Sequence, residues 1–266
     1  MRWWGKGGWY GGGARVGCNG EAGACHGGRQ GAPGRALAGH GDEIGMMVRA
    51  ITDEGFLKLS SIGGSDRTVT RGQHVTVHAE SGPIDGVIGQ VAIHLRDPAE
   101  DEYDEITEQH VDLGVEDGDS ARELVDVGDP VTFDTDIIDL ADDRVAARGI
   151  DNRIGIWTVA EAFRRAVESD PETTIYAIST VQEEVGFRGA RMIGFDLEPD
   201  AIVAVDVTHA TDHPDSPGDK GSDVDLGGGP VIARVSSNHP ALVGAVRAVA
   251  DDCGIDVQLS AAGTRT

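Results

Sequence analysis

From Arg148 onward, apolar strands and amphipathic helices alternate, and this alternation narrows the possible architectures more than any other feature of the chain. Ile154, Trp157, Ala160, Phe163 and Val167 recur at helical spacing, and residues 174–181 form an apolar, β-branched run that reads as a strand. Residues 201–207, 230–235 and 255–259 read as further strands. Residues 240–252 read as a helix with Leu242, Val246 and Val249 on one face. Parallel strands need crossover connections, and the crossing helices cover the sheet. The expected class is therefore α/β, with a mainly parallel or mixed sheet covered by helices.

Upstream the texture is β-rich. Short apolar runs at 36–38, 44–48 and 56–59 are separated by turn residues. A second β-rich stretch carries Val69, Val75, Val77, Val87, Ile88, Val91, Ile93 and Leu95. It is followed by an acidic, loop-like run over 97–119, a short helix at 120–125 and a Gly128-Asp129-Pro130 turn. Residues 65–142 are thus expected to be a small inserted β-rich domain, splitting the α/β domain into 36–64 and 143–266. Residues 1–35 differ sharply: Trp3, Trp4 and Trp9 sit among glycines without periodicity. This segment is expected to be a flexible extension or a wrongly assigned start, with no folded element.

Charge excludes some functions. Against 46 acidic residues stand 22 basic ones, a formal charge of −24 that repels nucleic-acid phosphates and anionic lipid surfaces. The first 39 residues hold five basic residues and one acidic, so the rest is more acidic still. Lys6, Lys58 and Lys220 are the only lysines. The apolar periodicity argues against disorder, and the acidity is read as adaptation to high salt, where carboxylate repulsion is screened. Cys18, Cys25 and Cys253 form no disulfide framework, and no run of 18 apolar residues or signal-like segment is present. A cytoplasmic protein that does not touch a membrane is expected.

Four clusters carry the chemistry, each beside a predicted strand or helix end. In Gly39-His40-Gly41-Asp42-Glu43-Ile44-Gly45, the histidine can ligate a metal through one ring nitrogen while Asp42 accepts the other N–H; alone, His40 reads more readily as a surface loop histidine. In Arg148-Gly149-Ile150-Asp151-Asn152-Arg153, Asp151 is either a helix N-cap or a carboxylate bridging two cations. Thr180-Val181-Gln182-Glu183-Glu184-Val185-Gly186 places two adjacent glutamates at the carboxyl end of a strand, where open α/β sheets bind ligands. Their mutual repulsion calls for a compensating cation. In Val205-Asp206-Val207-Thr208-His209, Asp206 either bonds to turn amides or joins the same site.

In order and spacing these clusters resemble the M42 metalloaminopeptidases from about Ala36 onward. Leu226-Gly227-Gly228-Gly229-Pro230-Val231-Ile232 and Ala262-Gly263-Thr264 extend the resemblance. It implies a zinc-peptidase-like catalytic domain and a hydroxide held between two divalent ions, zinc or cobalt. His40 and Asp206 would bind one ion and Glu184 the other. Asp151 would bridge them, Asp42 would orient His40 and Glu183 would be the general base, so that N-terminal residues are released from short peptides. The resemblance also implies assembly through the inserted domain into homo-oligomers up to dodecamers. Two departures stand out. Gly41 replaces a usual methionine, and the chain stops at Thr266 before a second histidine ligand, so the second metal site is expected to be weak. His209, His213 and His239 fall outside that motif. The alternatives are a glucanase-type relative and a catalytically dead, peptide-binding assembly subunit.

Salt adaptation predicts that the melting temperature rises as KCl is increased from dilute buffer to molar concentrations. Thermal melts across that range check it, and greatest stability in dilute buffer would overturn the halophilic reading.

Overall fold

The computed structural model describes residues 14–16, 22–27, 34–95, 105–214, 216 and 223–261. Trp3, Trp4, Trp9, Cys18, part of the acidic run over 97–119 and the Ala262-Gly263-Thr264 motif lie outside the described residues. The chain divides into two compact units, Met1–Asp206 and Val207–Thr266.

The first unit opens with β1 (Ala14–Val16), β2 (Ala22–His26) and β3 (Gly34–His40). Six strands then close a barrel: β4 (Gly45–Ile51), β5 (Leu57–Ile62), β6 (His74–Ala79), β7 (Gly82–Gly89), β8 (His110–Asp112) and β9 (Pro130–Phe133), in the order β4-β5-β8-β7-β6-β9. Alternate side chains of these strands point inward, as the two-residue period of a strand requires, except where the β4 register shifts between Val48 and Ala50. Met46, Val48, Leu57, Leu59, Val75, Val77, Ile88, Val111 and Val131 fill the interior and are all but inaccessible to solvent. A one-turn helix, α1 (Gly118–Arg122), is capped by the Asp117 carboxylate, which accepts from the Ser120 amide. A small hairpin, β10 (Ile138–Asp139) with β11 (Val145–Ala146), leads to α2 (Ile150–Glu168). After it come β12 (Thr174–Thr180), α3 (Arg188–Leu197) and β13 (Ala201–Ala204).

The main sheet runs β1-β2-β12-β3-β13. β3 is parallel to both β12 and β13, whereas β2 runs antiparallel to β12. The expected mixed sheet is therefore observed, with α2 on one face. Val159 and Phe163 of α2 pack on Ile175 and Ala177 of β12, with Leu37 at the margin. In the second unit, β14 (Val231–Ala233) lies parallel to β15 (Gln258–Ser260), and α4 (Pro240–Cys253) connects them. The His239 ring caps α4 by accepting from the Ala241 amide, so this histidine serves a helix end.

Four expectations need correction. Residues 1–35 are not without structure: β2 pairs with β12 from His26 opposite Ile175 to Ala22 opposite Ser179. Its Ala-Gly-Ala-Cys-His sequence has no apolar alternation to read, because small residues suffice where a neighbouring strand supplies the pairing. The barrel starts at Gly45 rather than at residue 65, so the strands at 44–48 and 56–59 belong to it and not to the main sheet. The buried face of α2 consists of Asn152, Gly155, Val159 and Phe163, which leaves Ile154 and Trp157 exposed. A polar side chain and a glycine share that face, and an apolar-only pattern cannot register them. In α4, the residue buried in the described structure is Ala250, while Val246 and Val249 are exposed.

The packing predicts unequal effects of truncation. Leu59→Ala should lower unfolding free energy by about 2–5 kcal/mol, as buried leucine truncations do. Trp157→Gln should stay within about 0.5 kcal/mol, as exposed substitutions usually do. Denaturant melts of the two variants check the contrast.

Candidate metal centre

Strand register brings three of the four clusters together. His40 ends β3 directly opposite Thr180 at the end of β12, and Ala38 lies opposite Ala204 of β13. The Gly41 amide donates to the Thr180 carbonyl at 2.9 Å, and the Val205 amide donates to the Ala38 carbonyl at 2.8 Å. In parallel strands aligned this way, the residues just past each carboxyl end share one edge of the sheet, where ligands of such sheets bind. Glu183, Glu184 and Asp206 occupy that edge.

The fourth cluster arrives on α2. Two glycines allow the close approach: a Cβ on Gly39 would come within 3.1 Å of the Gly155 carbonyl carbon. Asp151 and Asn152 have non-helical backbone angles, so regular helix begins after them. The fully buried Asn152 side chain does the capping, its Oδ1 accepting from the Gly155 amide at 3.0 Å. Its Nδ2 donates to the Val205 carbonyl at 2.8 Å, tying the helix start to the residue before Asp206. With capping assigned to its neighbour, Asp151 is left facing the site.

His40 is 3% exposed and central. Its Nδ1 lies 3.1 Å from the Asp42 carbonyl oxygen and 3.6 Å from the Asp42 carboxylate. A carbonyl can only accept, so Nδ1 carries the proton and Nε2 faces the carboxylates. Around Nε2 stand Asp151 at 3.0 Å, Asp206 at 3.6 Å and Glu183 at 3.8 Å. Asp42 differs from expectation in one respect. Its backbone makes the shorter contact to the ring, while its carboxylate accepts from the amides of Glu183 and Glu184 at 3.1 and 3.2 Å. It therefore fixes the glutamate turn as well as the histidine.

The electrostatics follow from this crowding. Burial alone would lower the His40 pKa, but hydrogen bonds to Asp206 and Asp42 and the charges of Asp206 and Glu183 outweigh it and push the pKa up to about 11. Burial, reinforced by Asp206, Asp42 and Asp151, raises Glu183 against the opposing pull of His40. Burial raises Glu184 too, with Asp151 and Glu183 adding to it. For Asp42 burial works upward, yet the His40 hydrogen bond and the two backbone amides bring it below the usual carboxylate range.

The donor set fits metal ions. His40, Glu183 and Asp206 present ligand atoms within 4.8 Å of one another, and so do His40, Asp151 and Glu184. One Glu184 oxygen is buried with no hydrogen-bond partner, which is costly for a carboxylate unless a cation faces it. All six residues singled out in the sequence, His40, Asp42, Asp151, Glu183, Glu184 and Asp206, meet here. Asn152 was missed as a supporting residue, although its place beside Asp151 at a helix start was a visible capping signal.

An α/β sheet with imidazole and carboxylates gathered at its strand ends has the donor chemistry of a site that could hold a metal ion. Comparison with known proteins is more specific. A profile described as M42 glutamyl aminopeptidase matches residues 20–266, and the chain belongs to that family. The match starts earlier than the resemblance read from Ala36 and includes β2. A lysyl aminopeptidase of Pyrococcus furiosus is 34% identical over 200 residues, covering 74% of this chain and 56% of the relative. The TET1 peptidase of Pyrococcus horikoshii, described as able to assemble into a tetrahedron or a large octahedral shell, superimposes with TM-score 0.86 and 32% identity, over 97% of this chain and 76% of that one. A TET aminopeptidase from a marine sediment archaeon of the Thaumarchaeota gives TM-score 0.85 and 31% identity, over 94% and 73% of the two chains. The chain spans about half the length of the curated relatives it matches.

The raised His40 pKa has a measurable consequence. In the metal-free protein His40 is protonated up to a pH of about 11, so cation binding at Nε2 must displace a proton. The affinity should fall by roughly tenfold for each pH unit lost through the neutral range. Calorimetric titration with Co²⁺ at pH 7 to 8, in buffers of different ionisation enthalpy, should register that proton; its absence would contradict the expectation.

Proposed function

We propose that this chain carries the catalytic centre of a metal-dependent aminopeptidase that removes N-terminal residues from short peptides. The observation that supports this most directly is the convergence of His40, Asp151, Glu183, Glu184 and Asp206 into two donor groups sharing one imidazole. His40 and Asp206 would hold one divalent ion and Glu184 the other, with Asp151 between them; zinc and cobalt suit such nitrogen and oxygen donors. When bound, such ions polarise a scissile carbonyl and lower the pKa of a coordinated water toward ~7.

Glu183 supplies the proton transfers. Its carboxylate sits at the strand edge beside His40 and Asp206, and burial raises its pKa, moving it toward the range useful for a general base. It accepts a proton from the attacking water and returns it to the leaving amine. Asp42 holds the turn that carries Glu183 and Glu184, and fixes the His40 tautomer through its carbonyl. A sugar-cleaving reading would need two carboxylates set on either side of a glycosidic bond. Here the carboxylates crowd around one nitrogen instead. A purely structural, inactive subunit would have no use for the unpartnered Glu184 oxygen. A homo-oligomer in the cytoplasm completes the proposal, supported by the shell-forming relative and by acidity that disfavours nucleic-acid partners.

Glu183→Gln should lower turnover of aminoacyl anilides by at least about 100-fold, the lower end of what a general base contributes, while leaving Co²⁺ content unchanged. Activity assays beside metal analysis of the purified protein check this. Undiminished turnover would remove Glu183 from the mechanism, and a wild-type protein that takes up no metal would remove the aminopeptidase reading.

A further inference from the structure

Glu43 is the one acidic residue of the His40 cluster that faces away from the donor groups, and the structure gives it a task. Its Oε1 accepts from Arg148 Nη1 at 2.8 Å and from Arg153 Nη2 at 2.6 Å, and its side chain is only 17% exposed. The two arginines bracket Asp151, one before the helix start and one just after it. Gly149, between them, has φ +67°, and a Cβ there would come within 2.9 Å of both the Arg153 guanidinium carbon and Glu43 Oε2. The Arg153 guanidinium and the Glu43 carboxylate thus close over a backbone that has no room for a side chain.

We propose that Glu43 is a positioning residue: with Arg148 and Arg153 it clamps the turn carrying Asp151 against the loop carrying His40 and Asp42, and so sets the spacing of the metal donors. This rests on the metal-binding reading given above. The connections run without a gap, from the arginines to Glu43, along one peptide bond to Asp42, and from the Asp42 carboxylate to the amides of Glu183 and Glu184. Asp151 is the donor most in need of such restraint, since it is more than half exposed and stands 3.0 Å from His40 Nε2 among like charges. Loosening its turn would let it swing into solvent.

The same helix supplies a control. Glu161 also accepts from two arginines, Arg164 at 2.8 Å and Arg165 at 2.7 Å, but lies several turns from the donor groups. Co²⁺ affinity is measured by chelator competition for the wild type, Glu43→Gln, Glu43→Asp and Glu161→Gln, each with a thermal melt. The expected result is a loss of about 10- to 100-fold for both Glu43 variants, as for other residues that orient metal ligands, with Glu161→Gln within about twofold of wild type. Glu43→Asp separates position from charge, because it keeps the charge but is one methylene too short to reach both arginines. Wild-type affinity in Glu43→Asp would overturn positioning in favour of simple electrostatics. Equal losses in Glu43→Gln and Glu161→Gln would reduce the clamp to general stability, which also overturns it. Should Glu43→Gln not fold, Arg148→Gln takes its place, and unchanged affinity there counts against the proposal. A wild-type protein that binds no Co²⁺ would instead bring down the metal-binding reading itself, a failure distinct from tight wild-type binding with an indifferent Glu43.

Discussion

Repulsion among carboxylates is the constraint to which the rest of the first unit answers. Asp42, Asp151, Glu183, Glu184 and Asp206 surround a single imidazole, and two unit charges 4 Å apart repel by about 4 kcal/mol at an effective dielectric constant of 20. Positive charge nearby is scarce, since the arginines at the start of α2 already face Glu43. The only compensation within the donor groups is a proton on His40, whose pKa is raised accordingly. Such a site opposes its own formation in the metal-free chain. The free energy that assembles it comes from elsewhere, chiefly the apolar barrel interior and the contact of α2 with β12.

That division explains why the site is positioned by backbone contacts. Backbone hydrogen bonds at a fixed register, not side-chain attraction, place His40, the glutamate turn and Asp206 on one sheet edge. Gly39 and Gly155 let α2 approach to backbone contact. Asn152 then secures the helix start to Val205 through a buried amide. Each device holds a donor by its backbone, leaving the carboxylates free to face a cation.

The donor residues were legible in sequence because polar, metal-type side chains follow apolar strand runs, and chain order paired them with a known family pattern. Their convergence was not legible, because register is a property of pairs of strands and no single segment encodes it. β2 escaped notice for the same reason: Ala22 to His26 has no apolar period and becomes a strand through pairing with β12. The barrel boundary was misplaced because β4 and β5 read like any other short strands, and only closure with β9 and β8 shows which sheet they join. The α2 face was misread at Ile154 and Trp157 because the sheet side of that helix uses Asn152 and Gly155, residues chosen for capping and closeness instead of hydrophobicity.

The adjacent glutamates illustrate how one turn can yield two different groups from one residue type. Glu183 and Glu184 both lose backbone freedom to the Asp42 carboxylate, which takes both of their amides. Consecutive side chains then leave the turn in different directions: Glu183 joins His40 and Asp206, and Glu184 joins His40 and Asp151. Glu184 keeps an oxygen buried and unpartnered, which under the proposed function suits permanent ligation. Glu183 feels the opposing influences of His40 and three carboxylates together with burial, which under the proposed function suits exchanging a proton. The Asp42 clamp therefore does more than orient a histidine, since it holds two neighbouring carboxylates in separate donor groups at one strand end.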